Sequence, residues 1–376
     1  MENMKRCCSW LVLLLLAAPC FSQQDTQLRF NNLADSLRTA GNFTGLSIAV
    51  HYNNKDAYAV VSGYSDKEKE EKLLPSHRLL QGSVGKTYVA AIALQLIKSG
   101  KLSLDDKVSK YLGHHDWYNR IPNAADITIR MIMNHSSGVM RYEFKEQFTK
   151  DLTANPAKEW KPQDLLQYIL DEKASFPAGQ GWEYSDTNYI LLGMIIEEIT
   201  GKAYYKLLKE NILEPLGLKN TFPSDKRKLE KLAQGYAGEK NEFGGKEKMI
   251  GEDGLFIINP QFEWTGGGIY STTADLAKWG KLLYEKIADT SLMLSAAVPA
   301  KLGRDVKYGL GVIVRQTPLG VAYGHSGFFP GYLTEMLYFP KYKMCIAVQA
   351  NSSDFKNLKL SLLRVLIEVA KAAERR

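Results

Sequence analysis

The stretch "LQGSVGKTYVAAIAL" (Leu80 to Leu94) decides how the rest of the chain is read. Its Gly85-Lys86-Thr87 looks like the end of a phosphate-binding loop. Its Ser83-Val84-Gly85-Lys86 looks like a serine nucleophile with a lysine one helical turn behind it. A phosphate-binding loop needs a glycine five residues before the Gly-Lys pair, to turn the backbone around the phosphate. That position is Leu80, and the preceding "LLPSHRLLQ" is a poor strand for such a loop to follow. The phosphate reading fails on that missing glycine.

Acyl transfer needs a serine and a lysine on one helix face, and positions i and i+3 are neighbours there. Ser83 is also a natural N-cap or first-turn residue, where helix N–H groups favour developing negative charge. From Val84 to Ile97 only Lys86, Thr87 and Gln95 interrupt an apolar or aromatic run, so the helix is expected to be buried on all sides. A buried lysine loses its proton more readily, which suits an amine that accepts one from serine. The plainer alternative is a capping serine with a lysine reaching out to solvent. The spacing alone is common, since Ser353-Asp354-Phe355-Lys356 repeats it.

Two downstream constellations bear on the choice. Tyr184-Ser185-Asp186 stands just before the helical pattern "TNYILLGMIIEEITG", and His325-Ser326-Gly327 stands within "YGHSGFFPGY". Each alone has a modest explanation. Ser185 or Asp186 would cap the helix while Tyr184 packs in the core, and His325 would be a satisfied strand histidine before a glycine turn.

Strand-like sequence clusters at both chain ends. Phe43 to Asp66 holds two β-rich runs around Asn53-Asn54-Lys55-Asp56, which reads as a hairpin. "YGLGVIVRQ", "GVAYGHS", "GYLTEMLYFP" and "MCIAVQAN" suggest four further strands, and a helical pattern closes the chain from Leu358 to Ala373. Between them the patterning is mostly helical, with Pro and Gly punctuation. The expected fold is α+β: an antiparallel sheet built from both chain ends and flanked by helices, with a mostly helical inserted lobe. The sheet lobe would take about 23–80 and 300–376, and the helical lobe about 81–299, in one catalytic domain over 23–376. The glycine-rich Gly235 to Gly254 reads more plainly as a surface loop than as a mobile border of the active site.

The N-terminus suggests export. Lys5 and Arg6 precede an apolar run, Trp10 to Ala18, and small residues suit cleavage after Ser22. Residues 1–22 are therefore expected to be a signal peptide, leaving a periplasmic or secreted chain with no stable membrane span. Only Cys345 of the four cysteines would survive, so no disulfide framework would be available. Cys345 itself lies in an apolar run and reads as a buried strand residue. The net charge of +7 is modest for 376 residues, and the lysine-rich runs Asp66 to Lys72 and Ser224 to Lys231 carry acids among the bases. No nucleic-acid footprint emerges. Six histidines include His114-His115, but no zinc-protease pattern occurs, so neither a metal nor a cofactor is expected.

In this order the motifs resemble those of the serine β-lactamase and penicillin-binding-protein family, in its class C-like branch of DD-peptidases and esterases. The resemblance covers most of the chain beyond the signal. It rests on Ser83-x-x-Lys86, Tyr184-x-Asp186 and His325-x-Gly327, with softer matches at Asn134 to Val139, Phe176 to Gly193, Ala233 to Tyr236 and Thr265 to Trp279. It implies that Ser83 attacks a carbonyl, that Lys86 takes the proton, and that Tyr184 relays it to the leaving group. It implies an oxyanion hole from the backbone N–H groups of Ser83 and Phe328. Asp186, His325, Ser326 and Gly327 would contact substrate, with His325 and Ser326 on the opposite wall.

Two departures narrow the expectation. The second motif of the family usually ends in Asn, and a carboxylate at Asp186 would pair with Lys86 and weaken it as a base. His325 stands where class C β-lactamases carry Lys. The intervals of 101 residues from Ser83 to Tyr184 and 141 from Tyr184 to His325 also look more like the peptidase and esterase members. The expected activity is hydrolysis of an amide or ester in a small molecule or peptide through an acyl-enzyme, DD-peptidase- or esterase-like. A true β-lactamase and a catalytically weak penicillin- or peptide-binding protein are the alternatives.

Overall fold

The computed structural model of the chain describes residues 18–52, 57–239, 241 and 245–374, with side chains described from residue 27 onward. The n-region and most of the h-region of the expected signal lie outside the described residues, as does the turn Asn53 to Asp56. A helix, Ala18–Gly41, runs through the expected cleavage position at Ser22. No described helix is long and apolar enough to cross a membrane.

Among the described residues, nine strands form an antiparallel sheet whose order mixes the two chain ends. The N-terminal strands are β1 (Gly45–Tyr52), β2 (Tyr58–Asp66) and β3 (Glu71–Lys72). A second, three-stranded sheet uses β4 (Leu79–Leu80), β5 (Thr221–Pro223) and β6 (Ile269–Ser271) in the order β4-β6-β5. The C-terminal strands are β7 (Val298–Pro299), β8 (Lys307–Tyr308), β9 (Ile313–Thr317), β10 (Gly320–Phe329), β11 (Tyr332–Phe339) and β12 (Met344–Ala350). The main sheet runs β3-β2-β1-β12-β11-β10-β9-β8-β7. β1 pairs with β12 from Leu46↔Ala350 to Tyr52↔Met344, which joins the two ends of the chain at its centre.

Alternation along these strands separates two cores. Leu46, Ile48 and Val50 of β1 join Ile346 and Val348 of β12 on one face, under Ala18–Gly41 and the C-terminal helix Leu362–Glu374. Ala49, Cys345 and Ala347 face the other way, into the larger core with the inserted helices. Cys345 is the buried strand residue its sequence suggested. The small sheet was not legible beforehand, because strands of two and three residues are too short to show a period.

The stretch bearing Ser83 and Lys86 folds as a 3₁₀ turn, Gly82–Gly85, leading into the helix Lys86–Lys98. From Lys86 to Leu94 every residue of that helix is buried, as its composition predicts. Ser83 is not the cap of that helix: it sits inside the turn, and neither cap position makes a side-chain hydrogen bond. A 3₁₀ turn eclipses residues i and i+3, which brings Lys86 over Ser83 more directly than an α-turn would.

Two glycines let β10 lie against this turn. A Cβ on Gly327 would stand 1.9 Å from the Gln81 carbonyl oxygen, and one on Gly82, at φ 52°, would meet the Phe328 peptide at 2.4 Å. Backbone cannot yield to such contacts. Gly327→Ala is therefore expected to push β10 off the turn and lower stability by about 2 kcal/mol, with Ser83 acylation lost disproportionately. Urea unfolding and labelling of Ser83 by a fluorophosphonate, measured side by side, check this; an unchanged labelling rate would mean that the contact does not set the site.

Candidate active site

One cleft of about 680 Å³ collects Ser83, Tyr184, Asp186, His325, Ser326, Gly327 and Phe328. Lys86 lies beneath it, fully buried. Its Nζ is 3.1 Å from Ser83 Oγ, 2.5 Å from Asp186 Oδ1, and hydrogen-bonded to the Gly266 carbonyl. The rings of Tyr184 and Tyr189 lie 5.0 and 5.5 Å from it. Lys86 thus does not reach solvent. Burial pushes its pKa down, but the Asp186 carboxylate, helped by Tyr184, outweighs burial and holds it above the ordinary lysine range. In the resting site Lys86 is an ammonium that donates to Ser83.

Asp186 is the first residue of the helix Asp186–Thr200. A carboxylate is favoured there by the unpaired N–H groups of the first turn. Tyr184 precedes it in a segment without regular structure, and its buried hydroxyl interacts with Ser83 and Lys86. Burial raises the phenol to about 12, while the Lys86 ammonium beside it pulls the other way. Acting on both Ser83 and Lys86, that hydroxyl is placed to pass a proton between them and a substrate.

His325 is buried and neutral. Its Nδ1 is 2.6 Å from the Ser326 carbonyl, which can only accept, so Nδ1 carries the proton. Nε2 then accepts from the Tyr308 hydroxyl at 2.8 Å. Burial, with Lys86 next, pushes its pKa down to about 3. Both ring nitrogens are occupied, so His325 offers shape to the cleft rather than charge.

The expected shared wall of His325 and Ser326 is modified by strand geometry. Adjacent strand residues point to opposite faces. His325 faces Tyr308 and Tyr184, whereas Ser326 stands cross-strand from Glu335 and accepts from Arg315 at 2.9 Å. Ser326 borders the cleft from the other side of β10. Phe328, half-exposed at the strand end, is set against Gly82 by the close approach described above.

Several residues around the cleft carried no sequence signal. Arg141 pairs with Glu143 at 2.8 Å, and Glu143 and Glu263 each keep one buried carboxylate oxygen without a partner. Burial, with Asp186 adding, raises Glu143 to about 7 against the pull of Arg141. Glu263 is pushed well above the usual carboxylate range by burial and then by Asp186. Glu335, near Arg315, is raised to about 7 by burial. Phe144 and Phe355 stand exposed at the mouth. The glycine-rich segment read as a plain surface loop contributes Ala237, Glu239, Asn241 and Glu247 to an adjoining recess that shares Phe328 and Phe355. Elsewhere, His114, His115 and Glu198 bring three donor groups within 4.8 Å of one another, though none lines the cleft.

A family model described as Beta-lactamase matches residues 30–370. The chain belongs to the beta-lactamase family. Its members are serine hydrolases, and the arrangement of Ser83, Lys86 and Tyr184 is consistent with that chemistry. Penicillin-binding protein 4* of Bacillus subtilis is 25% identical over 359 residues, covering 91% of this chain and 75% of its own length. D-amino acid amidase from Ochrobactrum anthropi superposes with a TM-score of 0.79 at 24% identity, over 93% of this chain and 99% of that one. A D-stereospecific amidohydrolase from Streptomyces gives a TM-score of 0.76 at 23% identity, over 92% and 97%. These solved structures share the fold, an antiparallel sheet with a helical lobe.

The Lys86–Asp186 pair makes a pH prediction. With Asp186→Asn the carboxylate is gone and burial acts on the amine against Tyr184 only, so neutral Lys86 becomes available at lower pH. The rising limb of the pH profile for Ser83 acylation should move down by about one pH unit or more. A limb that stays in place would assign the proton acceptor to another group.

Proposed function

We propose that this chain is an exported serine hydrolase that cleaves an amide or ester bond through an acyl-enzyme on Ser83, in the manner of an amidase or DD-peptidase, or of an esterase. The observation that carries the reading is the 3.1 Å contact between Ser83 Oγ and a fully buried Lys86, with the buried Tyr184 hydroxyl acting on both in the same cleft. Export, with cleavage near Ser22, rests on the N-terminal pattern alone.

The reactive form holds one proton fewer than the resting site, and Lys86 and Tyr184 share that deficit. Ser83 Oγ attacks the carbonyl carbon as its proton passes to this pair. The developing oxyanion would meet the N–H groups of Ser83 and Phe328. Tyr184 then delivers the proton to the leaving nitrogen or oxygen as that bond breaks, and the acyl group stays on Ser83. Water repeats the sequence in the reverse sense, giving the acid and restoring the serine.

Charge around the cleft narrows the substrate. Glu143 and Glu263 each present an unsatisfied carboxylate oxygen, and Asp186 adds a third acid. A substrate amine near the scissile carbonyl would satisfy these groups, which favours amides and short peptides of amino acids. The D-amino acid amidase that shares the fold supports trying D-configured amides first. The second reading, a weak penicillin- or peptide-binding protein, is favoured by the Lys86–Asp186 pair, because an ammonium is no base.

Intact-mass measurement after exposure to a fluorophosphonate and to a penicillin, on wild type and Ser83→Ala, separates these readings. A wild-type adduct that Ser83→Ala lacks is expected, with long-lived penicillin adducts and turnover of D-amino-acid amides. Rapid penicillin turnover would make the chain a β-lactamase, and adducts without turnover of any amide or ester would make it a binding protein. Equal labelling of both proteins would remove Ser83 from the chemistry.

A further inference from the structure

The proposed function needs the Tyr184 phenol at a fixed place. Its hydroxyl interacts only with the reacting pair Ser83 and Lys86, and the residue lies in a segment without regular structure. Its neighbours are held by one residue. His135, in the softer match Asn134 to Val139, follows the helix Ile129–Asn134 in a left-handed conformation, at φ 65°. That conformation turns the chain so that both its carbonyl and its ring meet the Tyr184 segment.

The contacts fall on either side of Tyr184. The His135 carbonyl accepts from the Glu183 N–H at 3.1 Å. Its ring Nδ1 accepts from the Ser185 N–H at 3.3 Å and lies 3.2 Å from Asn188 Nδ2. Two N–H donors converge on Nδ1, so the ring proton sits on Nε2. The ring itself lies against Tyr184, 4.3 Å between centroids, with Tyr308 on another side at 4.6 Å. Residue 135 is wholly buried, and no other side chain described here bonds the backbone on one flank of Tyr184 while packing on its ring.

We propose that His135 is a positioning residue: it brackets Tyr184 from Glu183 to Ser185 and packs against the phenol, setting where the hydroxyl stands relative to Ser83 and Lys86. It does not touch the reacting atoms. Burial, followed by the charge of Lys86, keeps its pKa well below the usual histidine value, which favours the neutral ring. Its neighbours support the same segment: Trp182 Nε1 donates to the Asn134 carbonyl at 2.9 Å, and Ser185 Oγ donates to the Met140 carbonyl at 3.0 Å.

The test rests on the acyl-enzyme reading and is built so that the two can fail separately. Wild-type labelling of Ser83 by the fluorophosphonate tests that reading; the comparison among variants of His135 tests this one. His135→Gly tolerates the left-handed backbone and removes ring and acceptor together. His135→Asn also tolerates it, and its Oδ1 can accept from Ser185 where Nδ1 did. His135→Gly is expected to label about 100-fold more slowly, with the affinity for reversible substrate analogues little changed, because the loss lies in placement of the proton donor. His135→Asn should recover to within about tenfold of wild type.

A folded His135→Gly that labels at the wild-type rate would overturn the proposal. Should that variant not fold, His135→Asn decides alone: a folded Asn variant as slow as expected for Gly removes the Nδ1 contact from the account. Equal losses in melting temperature for both variants, with rates that follow stability instead of the acceptor, would reduce His135 to packing.

Discussion

The site depends on one buried ion pair. Lys86 comes from the first turn of its helix and Asp186 from the first turn of another, and the pair is what pins those two helix ends together under the cleft. Taking both charges out of water is costly, and an apolar pair of the same volume would stabilise a protein at least as well. Leaving either partner alone would be far worse, about 3–5 kcal/mol for a buried charge without its counterpart. The pair therefore tightly constrains both positions. The Gly266 carbonyl adds a third anchor from a separate loop, so three distant segments converge on a single ammonium.

That convergence explains why the surrounding groups sit at unusual protonation states. Burial alone would drive carboxylates and histidines neutral, and it does so for Glu263, His135 and His325. At the centre of the cleft the charge sits on Lys86 and Asp186, with Arg141, Glu143 and Arg315 further out along the lining. In such a setting a small movement of one proton changes the field felt at Ser83 more than it would in water.

Much of this was legible in the sequence because the relevant signals are long or repeated. The hairpin of β1 and β2 and four of the six C-terminal strands, β9 to β12, follow from alternation and turn residues, and the mostly apolar helix after Gly85 follows from composition. The three motifs are recognisable by their order, and the Asp186 pairing with Lys86 follows from charge. What escaped has a physical cause in each case. The 3₁₀ turn at Ser83 depends on the tertiary contact of β10 with Gly82, which no local propensity encodes. Arg141, Glu143, Glu263 and Glu335 lie in turns, a kinked loop and a strand, and their burial comes from neighbours far away in sequence. Ser326 does border the cleft with His325, but its contacts with Arg315 and Glu335 follow from the divergence of successive strand residues, which the motif alone does not encode.

The joining of β1 to β12 bears on how the molecule comes into being. Leu46 finds its partner at Ala350, so the centre of the sheet closes only when almost the whole chain is available. Contacts of such long range are formed late and slowly. During synthesis the segment bearing Ser83 is complete long before β10, whose glycine must approach Gln81 to finish the cleft. A growing chain therefore carries its nucleophile without the strand that frames it. Chemical competence arrives at the end of assembly, with the last strands laid into the sheet.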